Sequence, residues 1–225
     1  MINYVVASSK DWYKNSPKTS EYDSLNIIEI NTKADLNLEL LEKIKPRYIF
    51  FPHWSWKVDS AIFERYECVV FHTAPLPFGR GGSPIQNLIL NNIKKAPVCA
   101  LRMTELIDAG PIYDYEEVTL DGTITEIFSN IAFCVEKLIV KICQKNIKPQ
   151  EQIGEVVSFN RLTYADNELK SKYSIKELYD RIRMVDGEGY ESAYIKFGDY
   201  KIDLTDSQIK NNEIFAKIRL YRDEN

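Results

Sequence analysis

The residues best suited to acid–base chemistry are the only two histidines, His53 and His72. Both fall at or just beyond the ends of apolar runs that predict buried strands. Ligands of open parallel sheets bind where the strands end, so both histidines are candidates for a binding edge. A histidine exchanges protons near neutral pH and can therefore serve as an acid or a base. A structural role remains open for either residue on its own.

The segment after the second histidine is rich in residues that shape loops. From His72 to Gln86 it reads HTAPLPFGRGGSPIQ. Pro75, Pro77 and three glycines exclude regular structure and predict a loop from a strand end into a helix. Ser83 is the expected helix cap, with Pro84 in the first turn. Such a loop either holds a ligand or is a rigid connector.

A second loop, Arg102–Pro111, follows the apolar run that begins at Val98, and it contains Asp108. Alone, Asp108 is most simply a turn residue that bonds its own backbone. Beside His72 on the neighbouring strand, it would be a carboxylate that orients the imidazole.

A third feature is the aromatic segment Pro52–Trp56. In an extended chain, Trp54 and Trp56 project to the same side, so the two indoles could clamp a flat heterocycle. Packing of both rings in the core is the alternative interpretation.

Short apolar runs alternate with amphipathic stretches over the first two thirds of the chain. The predicted strands are Asn3–Ala7, Asn26–Ile30, Arg47–Pro52, Cys68–His72 and Val98–Met103. The predicted helices are Asp35–Ile44, Val58–Tyr66 and Ser83–Asn92. Continuous apolarity along the strands indicates burial on both faces, as in a parallel sheet. The alternation predicts a doubly wound α/β domain.

The last third of the sequence has a different pattern. A long apolar stripe between Ile124 and Ile142 predicts one helix. Beyond Pro149 come an amphipathic helix near Ser174–Met184 and alternating strands, at Ser192–Phe197, Tyr200–Leu204 and Ile214–Leu220. We therefore predict two units, residues 1–160 and a small helix-plus-antiparallel-sheet subdomain at residues 161–225.

Composition excludes several classes of protein. No apolar run is long enough for a bilayer, and the amino terminus lacks a signal-peptide pattern, so we expect a cytoplasmic protein without membrane contact. The net charge of −4 argues against a nucleic-acid partner. No glycine precedes Gly79, which excludes early dinucleotide and P-loop motifs. The four cysteines lack metal-site spacing, so we expect reduced thiols and no metal.

Together, these loops resemble the folate-dependent formyltransferases, which include methionyl-tRNA, glycinamide ribonucleotide and sugar N-formyltransferases. The resemblance is carried by His72, by the run Leu76–Pro84 with its proline–arginine–glycine pattern, and by the segment Ile107–Gly110. It covers about residues 1–145 well and the tail more loosely. It implies an α/β, Rossmann-like formyltransferase fold, with a mostly parallel sheet flanked by helices and a small carboxyl-terminal helix-plus-antiparallel-β subdomain.

The resemblance also implies roles for individual residues. His72 and Asp108 would be catalytic in transferring the formyl group of 10-formyltetrahydrofolate to an amine. The pterin would bind at Trp54, Ser55, Trp56, Met103, Thr104 and Glu105. The substrate would contact His53, Pro75, Arg80 and Gly81. Lys10 and Trp12 are either further contacts to a nucleotide diphosphate or ordinary loop residues.

One position departs from the family pattern. Val70 stands where the family has an asparagine that would help to hold the formyl oxygen. We expect Ser55 or His53, at the end of the adjacent strand, to take over this role.

The chain is acidic and its tail is neutral in charge, which favours a small acceptor over tRNA. We expect a nucleotide-linked amino sugar of the 4-amino-4,6-dideoxy type, from a surface-glycan or pseudaminic-type pathway, with a homodimer left open. The alternatives are an aminoacyl carrier or aminoacyl-tRNA as acceptor, an inactive folate- or nucleotide-binding protein, and a plain interaction domain.

Overall fold

The fold is built on a central six-stranded sheet. The computed structural model describes residues 1–223. The strands of this sheet are β1 Asn3–Ser8, β2 Asn26–Ile30, β3 Tyr48–His53, β4 Cys68–Thr73, β6 Lys95–Arg102 and β7 Ile112–Thr119. A short strand, β5 Phe78–Gly81, lies outside it. The helices of this region are α1 Asp11–Lys14, α2 Ser20–Asp23, α3 Leu38–Ile44, α4 Ser60–Phe63, α5 Pro84–Leu90 and α6 Ile124–Gln144.

The strand order is β2-β1-β3-β4-β6-β7. The first four of these strands are parallel to one another, whereas β6 is antiparallel to β4 and β7 is antiparallel to β6. The expected mostly parallel sheet is therefore confirmed. The prediction was wrong for the direction of the Val98 strand, because apolar content reports burial and not strand direction.

Alternating side chains of the sheet enter two hydrophobic clusters, one on each face. On one face, β1 and β3 contribute Tyr4 and Phe50 to a cluster that includes the buried stripe of α6. On the other face, Val5 and Ile49 pack with Leu41 of α3 and Ile62 of α4. Helices thus cover both faces, and the two-faced burial explains why the parallel strands are apolar along their whole length.

The carboxyl-terminal part contains α7 Ile175–Arg183 and an antiparallel sheet of β9 Ala193–Phe197, β10 Tyr200–Lys210 and β11 Glu213–Arg222. The predicted helix and hairpin strands are confirmed here. Ile182, Met184 and Ala193 belong to the same hydrophobic cluster as α6. A single core therefore runs across residue 160, and the division at that point stays a prediction.

Local sequence explains how the helices begin. Asn37 caps α3, while Thr123 and Ser174 form capping boxes with Glu126 and Glu177 at the starts of α6 and α7. The predicted helix at residues 58–66 is shorter than expected, because only Ser60–Phe63 is helical after the cap at Asp59.

Two predictions about the glycine-rich segment were wrong. Residues 78–81 are not a loop but β5, which pairs in parallel with β8 Val157–Phe159 of a distant segment. Ser83 precedes α5 in a left-handed conformation with φ 46° and makes no cap hydrogen bond. Its hydroxyl oxygen instead accepts a hydrogen bond from the Leu162 amide at 3.0 Å. Both contacts connect residues far apart in the chain, which local patterns cannot indicate.

The four cysteines are free and buried, as expected for reduced thiols. Burial raises the pKa of Cys68, Cys99 and Cys143 to about 12, so these thiols stay protonated at neutral pH. Within residues 1–223, no helix is long and apolar enough to cross a membrane.

Candidate active site

His72 and Asp108 meet, although 36 positions separate them in the chain. Asp108 Oδ2 lies 3.3 Å from His72 Nδ1, and both side chains are largely shielded from solvent, with 7% of the histidine and 15% of the aspartate exposed. His72 is the second-last residue of β4. The loop that carries Asp108 leaves β6 beside Cys68, since the Met103 amide donates to the Cys68 carbonyl at 2.8 Å. The loop therefore runs along the length of β4 to reach the imidazole.

The second ring nitrogen of His72 is also engaged. Its Nε2 lies 2.7 Å from the carbonyl oxygen of Gly79 in β5. A carboxylate and a carbonyl both accept hydrogen bonds, so an imidazole donates to both only when each nitrogen carries a proton. The neutral ring satisfies one of them at a time. The pair can thus hold a positive charge next to a reacting group.

Asp108 is fixed by its own contacts and by its loop. It adopts a left-handed conformation with φ 53°, which aspartate tolerates better than most residues. Its Oδ2 accepts a hydrogen bond of 3.0 Å from the Gly81 amide. The Gln152 amide group donates to the carbonyls of Asp108 and Gly110, each at 2.8 Å, and its Oε1 accepts from Arg80. Gly110 packs so close to the Arg102 carbonyl that a Cβ would lie 1.8 Å from that oxygen.

A cavity of about 890 Å³, here called the loop cavity, opens between residues 52–58 and residues 103–108. It is large enough for a cofactor-sized ligand. Val70 of β4 and both members of the His72–Asp108 pair lie in its wall. The structure places all six residues predicted to bind the pterin in this wall: Trp54, Ser55, Trp56, Met103, Thr104 and Glu105.

A second cavity of about 370 Å³, here called the aromatic cavity, lies on the other side of the histidines. Three stacked rings line it. The ring centroids of Trp12 and Phe128 are 4.9 Å apart, and those of Phe128 and Tyr190 are 6.1 Å apart. Five residues line both cavities, namely Pro52, His53, Phe71, His72 and Arg161. A molecule in each cavity would therefore meet at the two histidines.

His53 ends β3 directly after an irregularity in the sheet. Val6 of β1 pairs with Phe50 and Ser8 pairs with His53, so β3 contains one extra residue between these pairs. Such bulges redirect the side chain that follows, and Pro52 is tolerated here since a bulge needs no amide donor. Burial lowers the pKa of His53, and the charges of Lys10 and Arg161 lower it further. Its imidazole is therefore neutral at pH 7.

Other predicted residues do not join the site. Pro75 is exposed and Arg80 is bonded to Gln152, and neither lines a cavity. Gly81 and His53 do line the loop cavity. The rings of Trp54 and Trp56 contact each other edge to face, with centroids 5.0 Å apart and an angle of 75°. Residues 54–58 are not the extended segment that the prediction assumed, and the clamp by the two indoles stays a prediction.

Sequence reasoning missed Arg161 and Gln152, as well as the aromatic roles of Phe128 and Tyr190. Each comes from a segment far along the chain, so no local motif marks it. Among residues 1–223, no group of three or more histidine, cysteine, aspartate and glutamate side chains is arranged to hold a metal ion.

Three comparisons with known proteins point to the same family. Residues 164–221 match the family described as methionyl-tRNA formyltransferase, C-terminal domain. The solved structure of methionyl-tRNA formyltransferase from Clostridium thermocellum is 36% identical, with a TM-score of 0.91, and the match covers 99% of this chain and 100% of that one. A curated methionyl-tRNA formyltransferase from Campylobacter jejuni is 28% identical over 72% of this chain and 55% of its own length. The chain thus spans about half the length of the curated relatives it matches.

More distant structures share the fold. A 4-N formyltransferase from Francisella tularensis is 16% identical with a TM-score of 0.65, over 88% of this chain and 93% of that one. HypX from Aquifex aeolicus, solved in complex with tetrahydrofolic acid, is 16% identical with a TM-score of 0.72, over 91% of this chain and 37% of that one.

The mostly parallel α/β sheet holds a shielded imidazole–carboxylate pair between two cavities, an arrangement suited to proton transfer between two bound molecules. The chain belongs to the formyltransferase family, whose members transfer one-carbon groups.

The expectation of a nucleotide-sugar acceptor, with no nucleic-acid partner, was wrong. The relatives with 28–36% identity are methionyl-tRNA formyltransferases, whereas the sugar N-formyltransferases match at 12–16%. The net charge misled the prediction, because it averages over the whole surface and says little about the charge at one site.

Proposed function

We propose that this chain transfers the formyl group of 10-formyltetrahydrofolate to the amino group of methionyl-tRNA. The observation that carries the proposal is the contact of 3.3 Å between His72 and Asp108 at the junction of two cavities. The choice of acceptor is supported by the similarity, over 99% of this chain, to the solved structure of a methionyl-tRNA formyltransferase. A reaction on an aminoacyl-tRNA belongs to the cytoplasm, where we place this protein.

The two cavities suit two substrates of different size. The loop cavity would hold the folate, since its wall combines the two indoles with Met103 and the polar loop residues Thr104 and Glu105. The aromatic cavity would hold the aminoacyl end, and its volume of about 370 Å³ matches a group of that size. His53 and Gly81 would face the reacting groups from the protein side.

The folate derivative supplies an activated formyl carbon, and residues of this chain would stabilise charge and move protons. The amine nitrogen forms a bond to the formyl carbon, which gives up its bond to the folate N10. The amine loses one proton and N10 gains one, so the overall transfer needs no net proton. His72 would stabilise the negative charge that grows on the reacting group or relay the proton, while Asp108 orients its ring.

Local charge at the entrance supports a polyanionic acceptor. Lys10 is exposed and close enough to lower the pKa of His53, as is Arg161, which lines both cavities. Lys57 is exposed at the loop cavity. Lys57 and Arg161 thus line the loop cavity together with Glu64, Glu105 and Asp108, and Lys10 acts on His53 beside it, so phosphates of a tRNA end would find cationic partners at the site.

A formyl-transfer assay tests the proposal. Purified protein would receive 10-formyltetrahydrofolate labelled in the formyl group and either methionyl-tRNA, an unesterified methionine or a nucleotide-linked amino sugar. We expect label in methionyl-tRNA alone. Binding of reduced folate without labelled product from any acceptor would show an inactive folate-binding protein, and label in the sugar alone would contradict the proposed acceptor.

A further inference from the structure

Contacts to the backbone and to the ring hold His53 in place between the two cavities. Its backbone carbonyl accepts a hydrogen bond of 2.9 Å from the Ser9 amide and one of 3.3 Å from the Ser9 hydroxyl. Its ring lies edge-on to Trp12, with centroids 6.2 Å apart and an angle of 89°. The bulge in β3 sets its direction, and the side chain lines both cavities. This support is what a reacting group needs in order to act without rearrangement.

The two nitrogens of the His53 ring differ in their surroundings. Nδ1 is enclosed and forms no hydrogen bond to another residue among residues 1–223, and the residue as a whole is half-buried. A neutral imidazole carries one proton, and an enclosed N–H without an acceptor would lose a hydrogen bond. A neutral ring with its proton on Nε2 avoids that loss, and the residue lines both cavities. Lys10 and Arg161, the cations that act on this ring, favour its neutral form, as does its burial.

Two hydroxyls that also line the loop cavity already have partners: the Ser55 hydroxyl lies 2.9 Å from that of Ser9, and the Thr104 hydroxyl donates to the Leu106 carbonyl at 3.0 Å. His72 directs Nδ1 at Asp108 and Nε2 at Gly79, so either nitrogen must give up a partner before it contacts a substrate. Val70 lines the loop cavity two residues before His72, and its side chain is apolar. Acyl transfer develops negative charge on the carbonyl oxygen, and a fixed donor aimed at that oxygen is usually a large part of catalysis.

We infer that His53 donates a hydrogen bond from Nε2 to the formyl oxygen during transfer and so takes the place of a donor that Val70 cannot supply. The inference rests on the proposed function, because it assigns a role within the same reaction. It makes His53 a neutral hydrogen-bond donor, distinct from the His72–Asp108 pair.

Substitutions of His53 test whether its side chain acts as a hydrogen-bond donor. The amide nitrogen of glutamine lies close to the position of imidazole Nε2, so His53→Gln should keep kcat within about tenfold of the wild-type value. His53→Ala should lower kcat by about 10² to 10³ with little change in KM for the folate. A second change, Val70→Asn, should recover at least tenfold of that loss in the His53→Ala background, because it offers an amide on the neighbouring strand.

Binding of reduced folate and thermal melting confirm that each variant is folded. A His53→Gln variant as slow as His53→Ala would overturn the inference, because a proton-accepting or purely structural role needs the imidazole itself. An alanine variant with wild-type kcat would overturn it as well.

A spectroscopic measurement requires no turnover. Long-range ¹H–¹⁵N spectra of the free wild-type protein at pH 7.5, assigned with His53→Gln, should show a proton on Nε2 of His53 and none on Nδ1. A proton on Nδ1 would overturn the inference. Wild-type protein that transfers no formyl group would overturn the proposed function and the inference together, whereas an active wild type with an unaffected alanine variant would overturn the inference alone.

Discussion

At the level of single residues, the site depends on a carboxylate whose contacts are nearly all non-local. Asp108 bonds the Gly81 amide and faces His72, and its loop is held by Gln152. The sequence was sufficient to nominate His72 and Asp108, because the motif residues around them are consecutive. It could not show that Gly79 would occupy the second nitrogen of His72, since that contact depends on β5.

Removing the charge of Asp108 tests the pair. Asp108→Asn keeps the size and an acceptor for the Gly81 amide but loses the carboxylate that orients His72. We expect kcat for formyl transfer to fall by about 100-fold or more, and His72→Ala to cause a similar loss. Asp199→Asn, an exposed change in the β9–β10 turn, is the matched control and should be neutral. Full turnover in both site variants would contradict the role of the pair.

The lowered pKa of His53 predicts a pH dependence of stability. The unfolded histidine has a pKa of about 6.5 and binds a proton more readily than the folded one, so the free energy of unfolding should decrease as pH falls below about 6.5. Between pH 7.5 and pH 5, the free energy of unfolding measured with urea should therefore decrease less for His53→Gln than for the wild type. Equal losses in both proteins would show that the ring is not held neutral.

At the level of elements, strands and helices followed from apolar periodicity and caps, whereas strand direction and long-range pairing did not. The runs that became β1–β4 have similar composition to β6, yet β6 runs the opposite way. This reversal is why the Asp108 loop begins at the amino end of β4 and must cross its length. The short β5 escaped prediction, because its partner β8 lies more than 70 residues away.

Gln152 is expected to position the Asp108 loop. Its side chain bonds two loop carbonyls and Arg80, so Gln152→Ala should lower kcat by about tenfold without unfolding the protein. Gln150→Ala is the matched control, because that side chain is exposed two residues earlier. Steady-state formyl transfer and thermal melting give both readouts. Equal kcat values for the two variants would show that the loop holds its shape without Gln152.

Arg183 is expected to fasten α7 to the core. It is 4% exposed, pairs with Asp180 at 2.7 Å and donates to the carbonyls of Leu120 and Gly122. Arg183→Ala leaves these acceptors unsatisfied and should lower the free energy of unfolding by about 3 kcal/mol. Arg65→Ala, which removes an exposed pair with Glu42, should cost less than about 1 kcal/mol in urea unfolding. A similar decrease in the free energy of unfolding for both variants would show that Arg183 does not hold α7 to the core.

At the level of the whole molecule, the net charge gave the wrong acceptor, because it does not report the charges near the site. A polyanion responds to the nearest cations, since salt screens interactions beyond about 10 Å at 0.1 M. Lys10 and Arg161, which both act on His53, are therefore the cations that we expect to contact a polyanion at the site.

Those two cations should govern tRNA binding. Lys10→Ala and Arg161→Ala should each raise KM for methionyl-tRNA and lower the slope of log KM against log salt by about one, with kcat little changed. Lys43→Ala on α3 is the charge-matched control, because it pairs with Glu39 at an exposed position. Equal salt slopes for all three variants and the wild type would place the tRNA elsewhere.

The most direct measurement is a single-turnover transfer with excess enzyme, formyl-labelled 10-formyltetrahydrofolate and methionyl-tRNA, run with the wild type and Asp108→Asn side by side. Label should move to the amino group of methionyl-tRNA in the wild type and at least about 100-fold more slowly in the variant. Label that never reaches the aminoacyl-tRNA, or that reaches it equally fast in both proteins, would contradict the account.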